Sequence, residues 1–253
     1  MIRGIVFDLF DTLVDQNHDR LAPVEVEGKR LGATTPALHE CARDEFGVDL
    51  PILEFASRMR ASDRELAADT IKVGIELSTL DRFSAFATSL GLANGLAFAE
   101  SLTDVHMGAL HRACTTPSHH EAVLTALGIN YRMGICSNFT HAKTARAILK
   151  DGDLDQHLDA ILISEEVGIR KPRREMFEAV LREMDLAPNE ILHVGDNLVA
   201  DVQGAAEMGM RTVWLTRQVK DPEAAMARYD GPSPDFSLED LMDLPVLAAR
   251  LSV

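Results

Sequence analysis

Short apolar runs, each ending on polar residues, recur along the 253-residue chain. Residues 3–7 lead into Asp8, and runs of the same kind cover 132–136, 160–163, 191–194 and 212–215. Runs this short, bounded by polar residues, have the length and texture of buried strands. Each is followed by a polar loop and a stretch of helical period. Strands alternating with amphipathic helices imply an α/β fold, a doubly wound parallel sheet covered on both faces, with functional groups gathered at the carboxyl ends of the strands.

Between residues 15 and 116 the texture changes to helix-period segments such as Pro36-Ala-Leu-His-Glu-Cys-Ala-Arg-Asp-Glu-Phe46, without a convincing strand. This predicts an inserted all-helical domain over 15–116, with the main domain formed by 1–14 and 117–253. Gly91, Asn94 and Gly95 read as turns inside the insertion, and Pro117 as the return to the main domain. Toward the end, Gly231-Pro-Ser-Pro234 is a turn cluster, and Ser237 three residues ahead of Asp240 predicts a capped start for the last helix.

Composition narrows the function. Hydrophobic residues make up 46% of the chain, an ordinary globular value. The 25 Lys plus Arg are outnumbered by 40 Asp plus Glu, and the net charge of −15 repels nucleic acid and acidic lipid. Neither is an expected partner; a small molecule is. Cys41, Cys114 and Cys136 are odd in number and lack CxxC spacing, so reduced thiols are expected. The apolar start is too short for a signal-peptide core, so the cytoplasm is the expected location. No GxGxxG or Walker loop points to a nucleotide cofactor.

Four clusters then stand in order: Asp8-Leu-Phe-Asp-Thr12, Ser137-Asn138, Lys171-Pro172, and Gly195-Asp196-Asn197 running on to Asp201. A buried carboxylate at Asp8 is a nucleophile if a cation balances it. Lys171 is the candidate, because Pro172 keeps it out of helical conformation and suits the first turn of the following helix. Asp196 and Asp201 frame a loop and helix start, the grouped carboxylates that a hard cation such as magnesium requires. Ser137 and Asn138 precede a helical stretch from about Thr140, so a hydroxyl and backbone N–H groups are available to a phosphate oxygen. Taken singly each has a plain reading: a surface lysine before a helix, a Ser-Asn turn, and a helix cap at Asp201.

Together, and with Glu165-Glu-Val-Gly-Ile-Arg-Lys-Pro172 between them, the four motifs resemble the haloacid dehalogenase superfamily. The resemblance implies a Rossmann-like core with the insertion after the first strand as a helical cap, able to open and close over the site. It also implies that Asp8, the backbone carbonyl of Phe10 and Asp196 hold Mg2+, with Asp201 binding the ion or supporting its ligands. Thr12 would orient the nucleophile loop, and Phe10, Ser137 and Asn138 would contact substrate.

One position departs from the pattern. Phosphatases of this superfamily carry Asp two residues after the nucleophile as general acid and base, and here it is Phe10. An aromatic there resembles the metal-independent 2-haloacid dehalogenases, whereas Asp196 and Asp201 resemble the phosphatases. The expected function is therefore a Mg2+-dependent phosphatase acting through an aspartyl phosphate. A 2-haloacid dehalogenase and a phosphate-binding module without turnover are the alternatives. Asp11, one position displaced, reads as structural. Arg20, Arg30, Arg58, Arg60 and Arg64 are candidate anion contacts. His106 and His111 read as packing or surface residues, and His119-His120 as a solvated pair. Cys136 reads as a buried hydrophobe, and Glu165 and Glu166 as loop carboxylates.

Overall fold

The computed structural model describes residues 1–17, 19–68, 70 and 73–251. The chain divides into two compact units, residues 1–16 with 115–253, and residues 17–114.

The first unit is built on six parallel strands: β1 (Gly4–Phe7), β2 (Arg132–Ser137), β3 (Ala160–Ile163), β4 (Ile191–Gly195), β5 (Arg211–Leu215) and β6 (Phe236–Leu238). Their order in the sheet is β6-β5-β4-β1-β2-β3. From β1 the chain winds outward through β2 and β3, then returns to the other side for β4, β5 and β6. The reversal falls between β1 and β4, the place where an open α/β sheet leaves a crevice at its carboxyl edge. Phe7 lies opposite Ile135 on β2 and Val194 on β4, so Asp8, the end of β2 at Ser137 and the end of β4 at Gly195 gather at the same edge of the sheet. The helix Arg174–Met184 covers one face, and its Met176, Phe177, Val180, Leu181 and Met184 follow the helical period and pack with Val6 and Ile191.

The sixth strand differs from the sequence expectation. Ser237 lies within β6, and Asp240 caps a short 3₁₀ turn, Leu241–Asp243, by accepting from the Met242 N–H at 2.8 Å. The last helix begins only at Leu244. A three-residue edge strand has too short a pattern to stand out; pairing with Val213 to Leu215 is what holds it extended.

The second unit contains α1 (Thr35–Phe46), α2 (Ile52–Ala67), α3 (Thr79–Ser89) and α4 (Gly95–Ala113). Ser78 starts α3 with a capping box, its hydroxyl accepting from the Asp81 N–H at 2.9 Å. Leu38, Ala42, Phe55, Phe86, Phe98 and Leu102 make the unit's own core. Phe86 meets Phe55 edge-on at 5.1 Å, and Phe98 meets Phe46 at 5.2 Å. The unit is not purely helical. Val24–Val26 and Lys29–Leu31 pair as an antiparallel hairpin. Glu27 and Gly28, both at positive φ (50° and 73°), form its two-residue turn, which matches the twist of paired strands.

Phe98 is fully buried, so truncation leaves a cavity beside the rings of Phe46 and Phe86. Phe98→Ala is expected to destabilise the second unit by about 3–5 kcal/mol. Hydrogen exchange at α1 and α4 amides measures it, and protection equal to that of the parent would contradict the core assignment.

Candidate active site

Asp8 follows the last residue of β1, and its N–H donates to the Val194 carbonyl of β4 at 2.9 Å, pinning it at the switch point. The chain turns sharply after it. The N–H groups of Leu13 and Val14 both donate to the Leu9 carbonyl at 2.9 Å, and Asp11 adopts a left-handed φ of 56°. The Asp11 carboxylate accepts from the Gln16 N–H at 3.0 Å, closing this loop.

Lys171 does not follow a strand directly. After β3 the chain forms the short helix Ser164–Val167 and then an extended loop that brings the lysine back. Pro172 lies ahead of the next helix, which begins at Arg174, and not in its first turn. The Lys171 ammonium donates to Asp8 Oδ1 at 2.8 Å and to Asp201 Oδ1 at 2.6 Å. Its side chain is 2% exposed and that of Asp201 is 1%. Burial pulls the ammonium down, but Asp201 and Asp8 outweigh it and hold its pKa above the ordinary value. Burial likewise pushes Asp201 up, and Lys171 with His193 overcomes this, holding the carboxyl down to about 2. For Asp8, burial outweighs the pull of Lys171, and Asp201 adds repulsion, so its pKa is raised.

Asn138 occupies a different place from the phosphate contact expected of it. Its Oδ1 accepts from the Lys171 N–H at 2.7 Å, and its Nδ2 donates to the Lys171 carbonyl at 3.0 Å. The side chain is a strap that fixes the lysine's backbone. The following helix, Ala142–Asp151, has its first N–H engaged by the Glu165 carboxylate, so that helix end is not a free anion site. Ser137, at the end of β2, is 1% exposed, and Thr12 is fully buried in the loop after Asp8. Among the described residues neither hydroxyl has a hydrogen-bond partner.

Asp196 follows β4, and the lone Trp214 holds its carbonyl through an indole N–H at 2.7 Å. The helix cap anticipated at Asp201 falls to Asn197, whose Oδ1 accepts from the Val199 and Ala200 N–H groups at 3.0 and 2.9 Å. Asp201 lies inside the π-helical turn Leu198–Gln203, and its Oδ2 accepts from the Asn197 N–H at 3.1 Å. Asp8, Asp196 and Asp201 each present an oxygen within 4.8 Å of the other two. Asp196 makes no ion pair among the described residues. Burial, then repulsion from Asp8 and Asp201, pushes its carboxyl up to about 8. Three carboxylates against one lysine is a donor set of hard oxygens with negative charge to spare, and that suits a small divalent cation.

Phe10 packs against Phe139, ring centroids 4.5 Å apart. Cys136 is buried, and burial pushes its thiol up to about 12, which makes it inert at neutral pH. His193 was not singled out in the sequence, and the roles of Gly195 and Glu165 were not legible there. His193, a polar residue in the apolar run of β4, contacts Asp201 Oδ1 at 3.0 Å. Gly195 leaves room for Asp201, since a Cβ there would lie 2.3 Å from its Cγ. Glu165 caps the helix after β2. Of the candidate arginines, Arg58 pairs with Glu54 at 2.6 Å and Arg20 donates to the Arg112 carbonyl at 2.8 Å, while Arg30, Arg60 and Arg64 are exposed. Glu166 pairs with Arg146. His106 bonds Thr34 at 2.8 Å in the second unit, a packing role.

Removing Lys171 strips the cation from two buried carboxylates. Lys171→Met is expected to cost about 3–5 kcal/mol at neutral pH without divalent ions. Urea unfolding of the parent and variant measures this, and a change under about 1 kcal/mol would mean that the pair is not needed to keep those carboxylates ionised.

Against known proteins, a family model for haloacid dehalogenase-like hydrolases matches residues 2–209. Phosphoserine phosphatase of Thermus thermophilus is 40% identical over 101 residues, which are 39% of this chain and 37% of that enzyme. The chain thus spans well under half of that relative's length. Glyceraldehyde 3-phosphate phosphatase of Methanocaldococcus jannaschii is 30% identical over 252 residues, 99% of each chain. The crystal structure of 2-haloacid dehalogenase from Pseudomonas syringae pv. Tomato shares the fold, with a TM-score of 0.72, 21% identity and 99% of each chain covered. Among the described residues no helix is long and apolar enough to cross a membrane. The family match runs through every motif strand up to β4 and through the insertion, and the strand-end aspartate with its lysine lies inside it: this chain belongs to the haloacid dehalogenase-like hydrolases.

Proposed function

We propose that the chain is a Mg2+-dependent phosphatase for a small phosphorylated metabolite, with Asp8 as nucleophile. The observation that carries this reading is the surplus of carboxylate at the switch point: Lys171 pairs with Asp8 and Asp201, and Asp196 is left to repulsion. Displacement of halide from carbon by one aspartate has no use for that surplus, whereas a metal-assisted attack on phosphorus does. Asp8, Asp196 and the Phe10 carbonyl would hold Mg2+, with Asp201 in support. Once bound, the ion would offset the negative charge on the transferring phosphoryl group.

The chain's own residues then have distinct tasks. A carboxylate oxygen of Asp8 attacks phosphorus in line, the bond to the leaving group breaks with its electron pair, and an aspartyl phosphate forms. Water hydrolyses this acyl phosphate, returning Asp8 as a carboxylate and releasing inorganic phosphate. Lys171 keeps Asp8 ionised in a buried place and, with the Ser137 hydroxyl, stabilises charge on the transferring oxygens. Thr12 steadies the nucleophile loop. The unit over 17–114, inserted after that loop, acts as the cap that selects substrate.

Phe10 shapes the substrate class. Without a carboxyl at that position, no side chain stands ready there to protonate an alkoxide, so leaving groups that depart unprotonated are favoured, as in an acyl phosphate or phosphoanhydride. The Phe10–Phe139 pair also gives the dehalogenase reading its one specific support, an aromatic surface beside the nucleophile.

Phosphate release from acetyl phosphate, p-nitrophenyl phosphate and small sugar phosphates, with and without Mg2+, tests the reading. Turnover is expected with Mg2+ only, fastest for acetyl phosphate and abolished in Asp8→Asn. Halide release from 2-chloropropionate with no phosphate release would replace it by dehalogenation, and phosphate binding without any turnover by the binding-module alternative. Phe10→Asp is expected to raise turnover of the sugar phosphates by about 10²–10⁴-fold while changing acetyl phosphate little. Equal effects on both substrates would remove the argument from the missing acid.

A further inference from the structure

A second group of metal-binding side chains lies at the start of the helix α5 (His120–Gly128). His119, His120 and Asp240 each offer a ligand atom within 4.8 Å of the other two. His120 is not the solvated residue its sequence position predicts. It is 0% exposed, and its Nδ1 bonds the Leu13 carbonyl at 2.8 Å. A carbonyl only accepts, so Nδ1 carries the proton and Nε2 the lone pair. That Nε2 is buried, and among the described residues it has no hydrogen-bond partner. An acceptor left so is costly unless something fills it. Burial holds the imidazole below its usual pKa, in the neutral form that ligates metals.

The other two groups give access. His119 and Asp240 side chains are 31% and 32% exposed, and His119 Nε2 lies 2.7 Å from Asp240 Oδ1. Arg217 is the nearby cation: its terminal nitrogens are engaged by the Asp15 carboxylate, and its Nε lies 3.9 Å from Asp240 Oδ2, the carboxylate oxygen that does not face His119.

We propose that His119, His120 and Asp240 form a binding site for a transition-metal dication of the zinc type. Two imidazole nitrogens and one carboxylate are a borderline donor set, and three protein ligands leave a fourth position for water. The site is chemically separate from the all-oxygen cluster of Asp8, Asp196 and Asp201. On binding, the ion takes the place of the proton between His119 Nε2 and Asp240; that proton moves to Nδ1 of the neutral imidazole, which frees the Nε2 lone pair for the ion. The His120 Nδ1–H bond to Leu13 becomes the outer contact that fixes the ring's tautomer and orientation. Leu13 belongs to the loop that carries Asp8, so an ion here stiffens the support of the nucleophile.

Cobalt(II) is the probe, titrated into the full chain in buffer containing excess Mg2+. One equivalent is expected to bind with the visible absorption of a tetrahedral site, to be displaced by Zn2+ and to raise the melting temperature. His119→Gln and Asp240→Asn change partly exposed residues, fold as the parent does, and are each expected to weaken Co2+ binding by roughly tenfold or more. The proposal is overturned if Co2+ leaves absorption and melting temperature unchanged. It is equally overturned if binding survives both substitutions or is lost instead in Asp8→Asn.

Discussion

A carboxylate buried at the end of a strand is costly by several kcal/mol unless a cation is buried with it, and here one ammonium serves two. Lys171 bridges Asp8 and Asp201, and most of the surrounding structure makes that bridge possible. Asn138 grips the lysine's N–H and carbonyl, so the ammonium is aimed by the backbone as well as by attraction. Gly195 leaves the space that Asp201 fills, and Gly204 does the same for the lysine loop, since a Cβ there would meet Phe177 at 2.6 Å and Pro172 Cα at 3.1 Å. His193 and the Asn197 N–H supply the remaining contacts that a buried Asp201 needs.

The bridge does not neutralise the site, and that imbalance decides the chemistry the site suits. One positive charge is divided between two carboxylates, and the third, Asp196, is held above its ordinary pKa by burial and by its neighbours. Electrostatic strain of this kind gathers where a cation or a charged transition state is to be held. The same loop that carries Asp8 presents the Phe10 ring, packed on Phe139, so an apolar surface stands beside the charged cluster.

The loop after Asp8 is held from outside as well. His120 bonds the Leu13 carbonyl from beneath, and the ion pair of Arg217 with Asp15 closes the far end of the loop. Both contacts join residues more than a hundred positions apart, 107 and 202 respectively. A four-residue strand therefore ends in a loop fixed on several sides, with Asp8 held at its start.

Much was legible in the chain itself. Five apolar runs announced five strands, because a parallel strand covered on both faces is apolar at most of its positions. Asp8 and Asp196 stood out because each directly follows an apolar run, and Lys171 and Asp201 because they stand in the ordered motifs between and after those runs. The hairpin over Val24–Leu31 and the strand Phe236–Leu238 did not, since three-residue strands exist only through their partners. Nor could sequence reveal that Asn138 straps a lysine 33 positions away, that Glu165 caps a helix 23 positions earlier, or that His120 is buried against Leu13. Local pattern settled which residues carry charge and where strands end. Tertiary structure decided which charges meet, because a hydrogen bond is a matter of a few ångströms in space and is indifferent to distance along the chain.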